Sequence, residues 1–387
     1  MKILLITACL PYPPNKGEKI RTMAVLEALS SFASIDLLTV SHEAATDESQ
    51  TKLANYCQSV RSFKLNRYKA AINMLKALFV KQSLTHAYYY SREFDRYLKN
   101  VKLDAYDAVF IVSGNLFLNF KLPLLINTYW DLIDLDSNKW ALLAQSTRNI
   151  FLRFLYQRES RLISKAEQFI TNNCSRTYLI SRRESLLAER RGHRIIADIL
   201  PVSLPASYLL PPKITKHLNR IVFSGQMDYQ PNIEAVLFLN DQVLPLLAKQ
   251  GKVPEVLVVG RKPSLQLIKH CQGIKFSGEI ANSAELIASG SIFVAALQKV
   301  FGMPTKILEA FACESAVVGP REFGDIYAVQ NGEQMLFADT AQEYASQIIS
   351  LLDNPELISK ISINAKQLLQ DRYLVSANAK KLKADLL

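Results

Sequence analysis

The stretch "MPTKILEAFAC", Met303 to Cys313, sets a lysine and a glutamate three residues apart at the start of an apolar, helix-forming run. Thr305 is placed to cap that helix. Lys306 then falls in the first turn, where the positive end of the helix dipole disfavours a cation. A nearby anion explains a lysine there better than helix stability does. Glu309 suits the dipole by itself, for about 0.3–1 kcal/mol, so its position alone asks for no ligand. Upstream, three apolar runs end in glycine: Gly225, Gly260 and Gly278. Any turn from a strand into a helix favours glycine. Three in one region, with Arg261 and Lys262 directly after Gly260, suit the close approach of backbone to a diphosphate.

A second candidate follows the first apolar run. In "LPYPPNKGEKIRT" the prolines hold the turn extended, and Gly17 allows close approach of the backbone. The helix that follows offers free N–H groups to an anion, with Lys16, Lys19 and Arg21 adding positive charge. A plain surface loop with a glycine turn is the alternative. The order is neither GxGxxG nor GxxxxGKS, which excludes those two phosphate-binding loops. In "YWDLIDLDSNKW", the Asp134-x-Asp136 pair can hold Mg²⁺ or Mn²⁺ on a nucleoside diphosphate, or can end a strand and cap a helix, with Asp136 and Ser137 as caps. Asp131 lies nearer the strand end, where a catalytic acid would sit. The five histidines form no HxxxH or HExxH pattern, so no zinc site is expected.

These residues need a frame to position them. The chain has 387 residues, 49% hydrophobic and 21% charged, which fits two globular domains. Apolar runs at 2–8, 34–40, 107–113, 122–128 and 167–173 read as strands, separated mostly by helical stretches. After a Pro- and Ser-rich stretch near residue 200, a second series follows at 220–225, 255–260, 274–278, 291–297 and 315–320. The last 30 or so residues read as helix. The strands are apolar on nearly every residue, as in parallel sheets covered on both faces. The expectation is two βαβ-type domains, which bind ligands beyond the carboxyl ends of their strands.

No apolar run reaches the about 18 residues of a spanning helix. Ile6-Thr7-Ala8-Cys9 loosely resembles a lipoprotein cleavage box, but the apolar run before it is short, and a buried first strand is expected. Cys9, Cys57, Cys174, Cys271 and Cys313 are scattered and read as buried thiols of a reducing cytoplasm. The net charge of +11 is uneven. Residues 1–200 carry 28 Lys and Arg against 18 Asp and Glu, and residues 201–387 carry 18 against 17. A basic first half suggests an anionic partner. Residues 61–102 hold 10 Lys and Arg against two acids, interleaved with aromatic residues. This segment either lies on an anionic membrane with lysines at the headgroups or packs as an ordinary helix. No nucleic-acid-binding module is present.

Three motifs in order, "PYPPNKGEKIR", "FSGQMDYQPNIEAVLFL" and "KILEAFACESAVVG", with "DLDSNKW" between the first two, resemble retaining glycosyltransferases of the GT-B fold. The likeness is greatest to bacterial sugar transferases of the exopolysaccharide type, and it covers most of the chain. It implies an α/β fold of two Rossmann-like domains facing a central cleft. Residues 1–205 would bind the acceptor, residues 206–371 the nucleotide sugar, and a last helix, about 372–387, can pack back onto the first domain.

The resemblance further implies that Glu309 binds the ribose hydroxyls and that Gly17 lets its loop, with Lys16, approach the donor. Backbone around Gly278, Glu279 and Ile280 would meet the base. Gly225, Thr305, Lys306 and the helix N-terminus would face the diphosphate. Asp131 would take the place of the active-site His or Asp, either as base or to orient the sugar. No metal or other cofactor is implied. The donor would be a nucleoside diphosphate sugar, the acceptor a saccharide or lipid-linked, and the place the cytoplasm or the inner membrane face.

Three positions depart from the common pattern. Phe301 stands where an acid often lies eight residues before Glu309, Gln226 where an arginine is common, and Glu314 where a glycine is usual. The first touches sugar recognition. The second shifts phosphate contact to Arg261 or Lys306. An epimerase or hydrolase of the same fold, or a binding protein without turnover, is the alternative.

Overall fold

The computed structural model describes residues 1–120, 127–192, 197–209, 214–280 and 283–387. The chain divides into two compact units. Unit 1 is Met1–Ser203 with Val375–Leu387, and unit 2 is Leu204–Leu374.

Among the described residues, unit 1 holds seven parallel strands: β1 (Lys2–Thr7), β2 (Ser34–Ser41), β3 (Ser59–Lys64), β4 (Ala108–Val112), β5 (Thr128–Ile133), β6 (Arg176–Leu179) and β7 (Ala197–Ile199). Their order is β3-β2-β1-β4-β5-β6-β7. β1 shows why. Ile3 and Leu5 point into one apolar cluster with Leu26, Leu29 and Leu382. Leu4 and Ile6 point into another with Phe94, Trp130 and Ile170. Alternate side chains of a strand face opposite ways, so an unbroken apolar run is what a strand covered on both faces requires.

Unit 2 repeats the plan with β8 (His217–Ser224), β9 (Glu255–Val259), β10 (Ile274–Phe276), β11 (Gly290–Val294), β12 (Ala316–Gly319) and β13 (Leu336–Phe337). All pair in parallel, in the order β10-β9-β8-β11-β12-β13. In each sheet the order reverses beside the first strand, at β1/β4 and β8/β11. Such a reversal opens a crevice at the carboxyl ends of the strands.

One of the expected strands is a different element, and another falls mostly outside the described residues. Residues 167–173 are the last turns of a helix, Ile150–Asn173. The apolar residues there recur at helical spacing, with Ile163, Ala166 and Ile170 buried. The run at 122–128 falls mostly outside the described residues, and the strand that is described, β5, starts at Thr128 and continues to Ile133. Asp131 therefore lies inside a strand. β3, β6, β7 and β13 were not anticipated. β3 is an edge strand whose Ser59, Arg61 and Lys64 are exposed, so it carries no continuous apolar signal.

The last helix, Val375–Leu386, belongs to unit 1. It packs on the Gly17–Ser30 helix and buries Leu382. Asp385 accepts from Arg176 at 2.6 Å and from the Tyr178 hydroxyl at 3.1 Å. Asn378 donates to the Pro201 carbonyl at 2.9 Å.

The centre of unit 1 holds a buried ion pair. Arg21 is 1% exposed and Asp131 0%. The Arg21 Nε donates to Asp131 Oδ2 at 2.9 Å, and Nη2 lies at the same distance without the alignment of a hydrogen bond. Arg21 Nη1 also donates to the Pro201 carbonyl, and Ile133 N donates to Asp131 Oδ1 at 3.0 Å. Removing one partner strands a buried charge, at a cost of about 3–5 kcal/mol. Arg21→Met is expected to lower stability by about that amount, read as a shift of the urea unfolding midpoint. A midpoint equal to that of the parent protein would contradict a structural role for the pair.

Candidate functional site

The crevice of unit 2 is built from three strand ends and two helix starts. β8, β9 and β10 end next to Gly225, Gly260 and Gly278. A Cβ on Gly260 would run into the Gly225 carbonyl oxygen. A Cβ on Gly225 would lie 2.6 Å from Asn232 Nδ2 and 2.9 Å from Lys306 Nζ. Gly278, at φ +68°, uses the left-handed region. Gly260 is thus demanded by close approach of backbone and Gly278 by its conformation, while Gly225 leaves room for the Asn232 and Lys306 side chains.

The helices after β8 and β11 start at Gln230 and Thr305, beside the point of reversal. Lys306 connects them. Its Nζ donates to Asn232 Oδ1 at 2.7 Å and lies 4.4 Å from the centre of the Phe223 ring. Asn232 Nδ2 in turn donates to the Gln226 carbonyl at 2.9 Å. Burial pulls the Lys306 pKa down to about 7, with Glu309 opposing the fall. Burial pushes the Glu309 carboxyl above its ordinary range, while Lys306 and the Thr305 hydroxyl pull it back. Lys306 and Glu309 are both half-buried and reachable from solvent. Tyr208 lies close enough for Glu309 to raise its pKa, a smaller cause than burial.

Thr305 is the first residue of its helix. The N-cap is Pro304, without a side-chain cap bond. The expected capping hydroxyl instead reaches Glu309. Of the cation pair after Gly260, Lys262 is bound to Asp228 at 2.8 Å. Arg261 stands half-exposed next to it. Glu279 is exposed and Ile280 half-buried, after Gly278 at the end of β10. Phe301 is half-buried, in the loop before the helix. Glu314 has φ +52°, in the left-handed region. It follows the helix end, where glycine is the easier residue, and Lys366 holds its carboxylate at 2.5 Å.

The three cations expected to face an anion in unit 1 are met within that unit. Lys16 and Lys19 both meet Glu43, Lys16 at 3.4 Å, and Lys19 is buried. Arg21 is paired with Asp131. The expected cluster of three free positive charges is therefore largely neutralised by the chain itself. Gly17 begins its helix, and a Cβ there would meet nothing within 4 Å. Neither packing nor a left-handed φ accounts for glycine at that position.

The position expected for a catalytic acid is occupied by the buried pair. Asp131 cannot touch a substrate in this structure. It holds the turn after β5 by accepting from Ile133 N, an Asx-type turn. Ile133 has φ +70°, unusual for a β-branched residue. Asp134 follows it, with its pKa raised to about 7 by burial and by Glu184 and Asp136 nearby, and with Oδ1 buried and unbonded. Leu135 is the N-cap of the Asp136–Ser146 helix, so Asp136 and Ser137 lie inside it and are not caps. Ser137 N and Oγ both bond to Glu167. Among the described residues no three or more His, Cys, Asp or Glu side chains are grouped to hold a metal ion.

Sequence reasoning singled out Lys306 and Glu309 but missed Asn232 and Tyr208. Asn232 lies in "QMDYQPNIEAV", and only the fold shows that it meets Lys306, 74 residues away. Asp134 was visible as half of an Asp-x-Asp pair. Its burial was not.

Residues 219–354, inside unit 2, match the family model described as glycosyl transferases group 1. Across 402 aligned residues, 96% of each chain, the protein is 23% identical to an uncharacterised 44.6 kDa protein from the cps region of Klebsiella pneumoniae. Two solved structures share the fold at full length. HepE of Anabaena, in complex with UDP, is 13% identical with a TM-score of 0.64, covering 100% of this chain and 99% of its own. A glycosyltransferase from Rickettsia africae gives 13% and 0.64, covering 100% and 97%. Residues 219–354 are accordingly similar to the glycosyl transferases group 1, in a chain of the GT-B fold.

Proposed function

We propose that this chain is a retaining, metal-independent glycosyltransferase. It moves a sugar from a nucleoside diphosphate sugar to a saccharide or lipid-linked acceptor in building a cell-surface polysaccharide. The observation that carries this reading is the Lys306–Asn232–Glu309 group at the strand reversal of unit 2. HepE was solved with UDP and with UDP-glucose, and the Klebsiella relative comes from a cps region. Both supports agree with it.

Glu309 accepts from the two ribose hydroxyls. Lys306, Arg261 and the N-terminus of the Thr305–Ala312 helix face the diphosphate, with Gly225 and Thr305 beside them. Backbone at Gly278, Glu279 and Ile280 meets the base. The leaving diphosphate gains negative charge as the sugar departs, and fixed cations and helix N–H groups stabilise that charge. Attack from the leaving-group face lets the donor phosphate help remove the acceptor proton, so no dedicated base is required. Gly17 and Lys16 take part in donor binding, which supplies the reason for glycine that internal packing does not. Asp131 acts by positioning, holding the turn that presents Asp134. Unit 1 takes the acceptor at the cytoplasmic face of an anionic membrane, which it meets through residues 61–102.

Glu309→Ala removes hydrogen bonds to a charged group, each about 1.5–3 kcal/mol. Calorimetric affinity for the preferred nucleoside diphosphate is expected to fall by at least the roughly ten- to hundredfold that one such bond is worth. Unchanged affinity for every nucleoside diphosphate would refute the assignment. Donor turnover without acceptor would favour the hydrolase or epimerase reading.

The lowered pKa of Lys306 makes a second prediction. Below about pH 7 the ammonium is already charged. Above that, binding a diphosphate must draw a proton back onto it. Affinity for the diphosphate is therefore expected to fall as pH rises from 7 to 9, while affinity for the nucleoside stays level. Lys306→Met should remove most of that slope. Equal pH profiles for the two proteins would contradict diphosphate contact by Lys306.

A further inference from the structure

The Arg67–Phe79 helix of unit 1 is turned inside out. Its buried residues are two alanines, Ala70 and Ala77, at 2% and 1% exposure. Its large apolar residues Tyr68, Ile72, Leu75 and Phe79 recur at the spacing of a single stripe, and they face solvent at 84%, 52%, 59% and 85%. Packing within unit 1 cannot explain that stripe, since the small face is the one turned inward. Arg67, Lys69 and Lys76 are exposed on its flanks.

A second helix extends the patch. Ile150, Phe151 and Phe154 open the Ile150–Asn173 helix, at 80%, 74% and 62% exposure. One turn further on, Arg158 Nη2 donates to the carbonyls of Ala77, Val80 and Gln82, at 2.6, 2.9 and 3.0 Å. Glu159 accepts from Ser83 Oγ at 2.8 Å and Leu84 N at 2.9 Å. These bonds fix the end of the first helix beside the start of the second. Phe154 also lines a hollow of about 620 Å³ with Arg158, Arg161, Lys165 and Arg191. Aromatic and aliphatic side chains at the centre, cations around them and a basic hollow alongside are the complement of an acyl layer beneath anionic headgroups.

We propose that these two helices form one membrane-docking platform, in which the Tyr68–Phe79 stripe and Ile150, Phe151 and Phe154 enter an anionic lipid surface. This deepens the reading that unit 1 works at a membrane. It moves the contact from one segment to a pair of helices locked by Arg158 and Glu159. The apolar stripe supplies the insertion, and the flanking lysines and arginines supply the preference for negative lipid.

The test is sedimentation of the full chain with vesicles of phosphatidylcholine alone or mixed with phosphatidylglycerol. The expected result is binding to the mixed vesicles only, weakened by added salt. Leu75→Glu with Phe79→Glu, and separately Phe151→Glu with Phe154→Glu, should each reduce binding at least about tenfold. Each should keep the thermal shift that the parent protein shows with a nucleoside diphosphate, which reports folding of unit 2, and its far-ultraviolet circular dichroism. If a pair fails to fold, Ile72→Ser and Phe151→Ser take its place.

Parent protein that ignores mixed vesicles, or variants that bind like the parent, overturns the platform. Loss in the first pair alone would return the contact to one helix and overturn the paired surface. A dimer in light scattering that the same substitutions dissolve, without vesicle binding, would make a second copy of the chain the occupant. Vesicle binding without any nucleotide response would leave the platform standing and count against sugar transfer.

Discussion

A lysine ammonium, half-buried over a phenylalanine ring at the start of a helix, organises unit 2. Burial and the helix dipole both oppose its charge. Asn232, Phe223 and Glu309 offset that opposition in part. The arrangement then dictates its surroundings. A side chain at Gly225 would displace Lys306 and Asn232, and Gly260 must lack one because Gly225's carbonyl occupies the space. A cation whose charge is only partly compensated is already arranged to gain from an anion, so little reorganisation is needed when one arrives.

Unit 1 follows the opposite plan. Its conspicuous charges are consumed inside the unit: Lys16 and Lys19 by Glu43, Arg21 by Asp131. What these bonds secure is backbone. Arg21 ties the first helix to β5 and to Pro201, and Asp131 fixes the turn at Ile133. The strain at Ile133 and at Ser113, φ +89° after β4, collects at the carboxyl end of the sheet. Residues held in sparsely populated backbone regions persist only where surrounding bonds impose them. The Arg21–Asp131 pair is one such set of bonds.

The two parallel sheets were legible because buried strands write themselves as continuous apolar runs, as at Ile3–Ile6 and Val256–Val259. β3 was not, since an edge strand with Arg61 and Lys64 outward lacks that signal. The helix end at 167–173 was misread because a short apolar run has no period of its own; its partners at Ile163 and Ala166 supply one. In the site, Lys306 announced itself by defying the dipole. Thr305 misled, because its type suits a cap while Pro304 takes that place. Asp131 misled for a related reason: an acid near a strand end looks available until β5 is found to run two residues past it. Asn232 carried no local anomaly, and its role exists only through a contact across 74 residues of chain.

The return of residues 375–387 to unit 1 affects the order in which the protein matures. As the chain leaves the ribosome, every residue of unit 2 is present before unit 1 is complete. Leu382, Asp385 and Asn378 are the missing partners of Leu26, Arg176 and Pro201 until the last turns emerge. Until they do, unit 1 lacks the helix that covers this part of its apolar surface. The face it covers includes Tyr129 and Tyr178, whose hydroxyls both bond to Asp385.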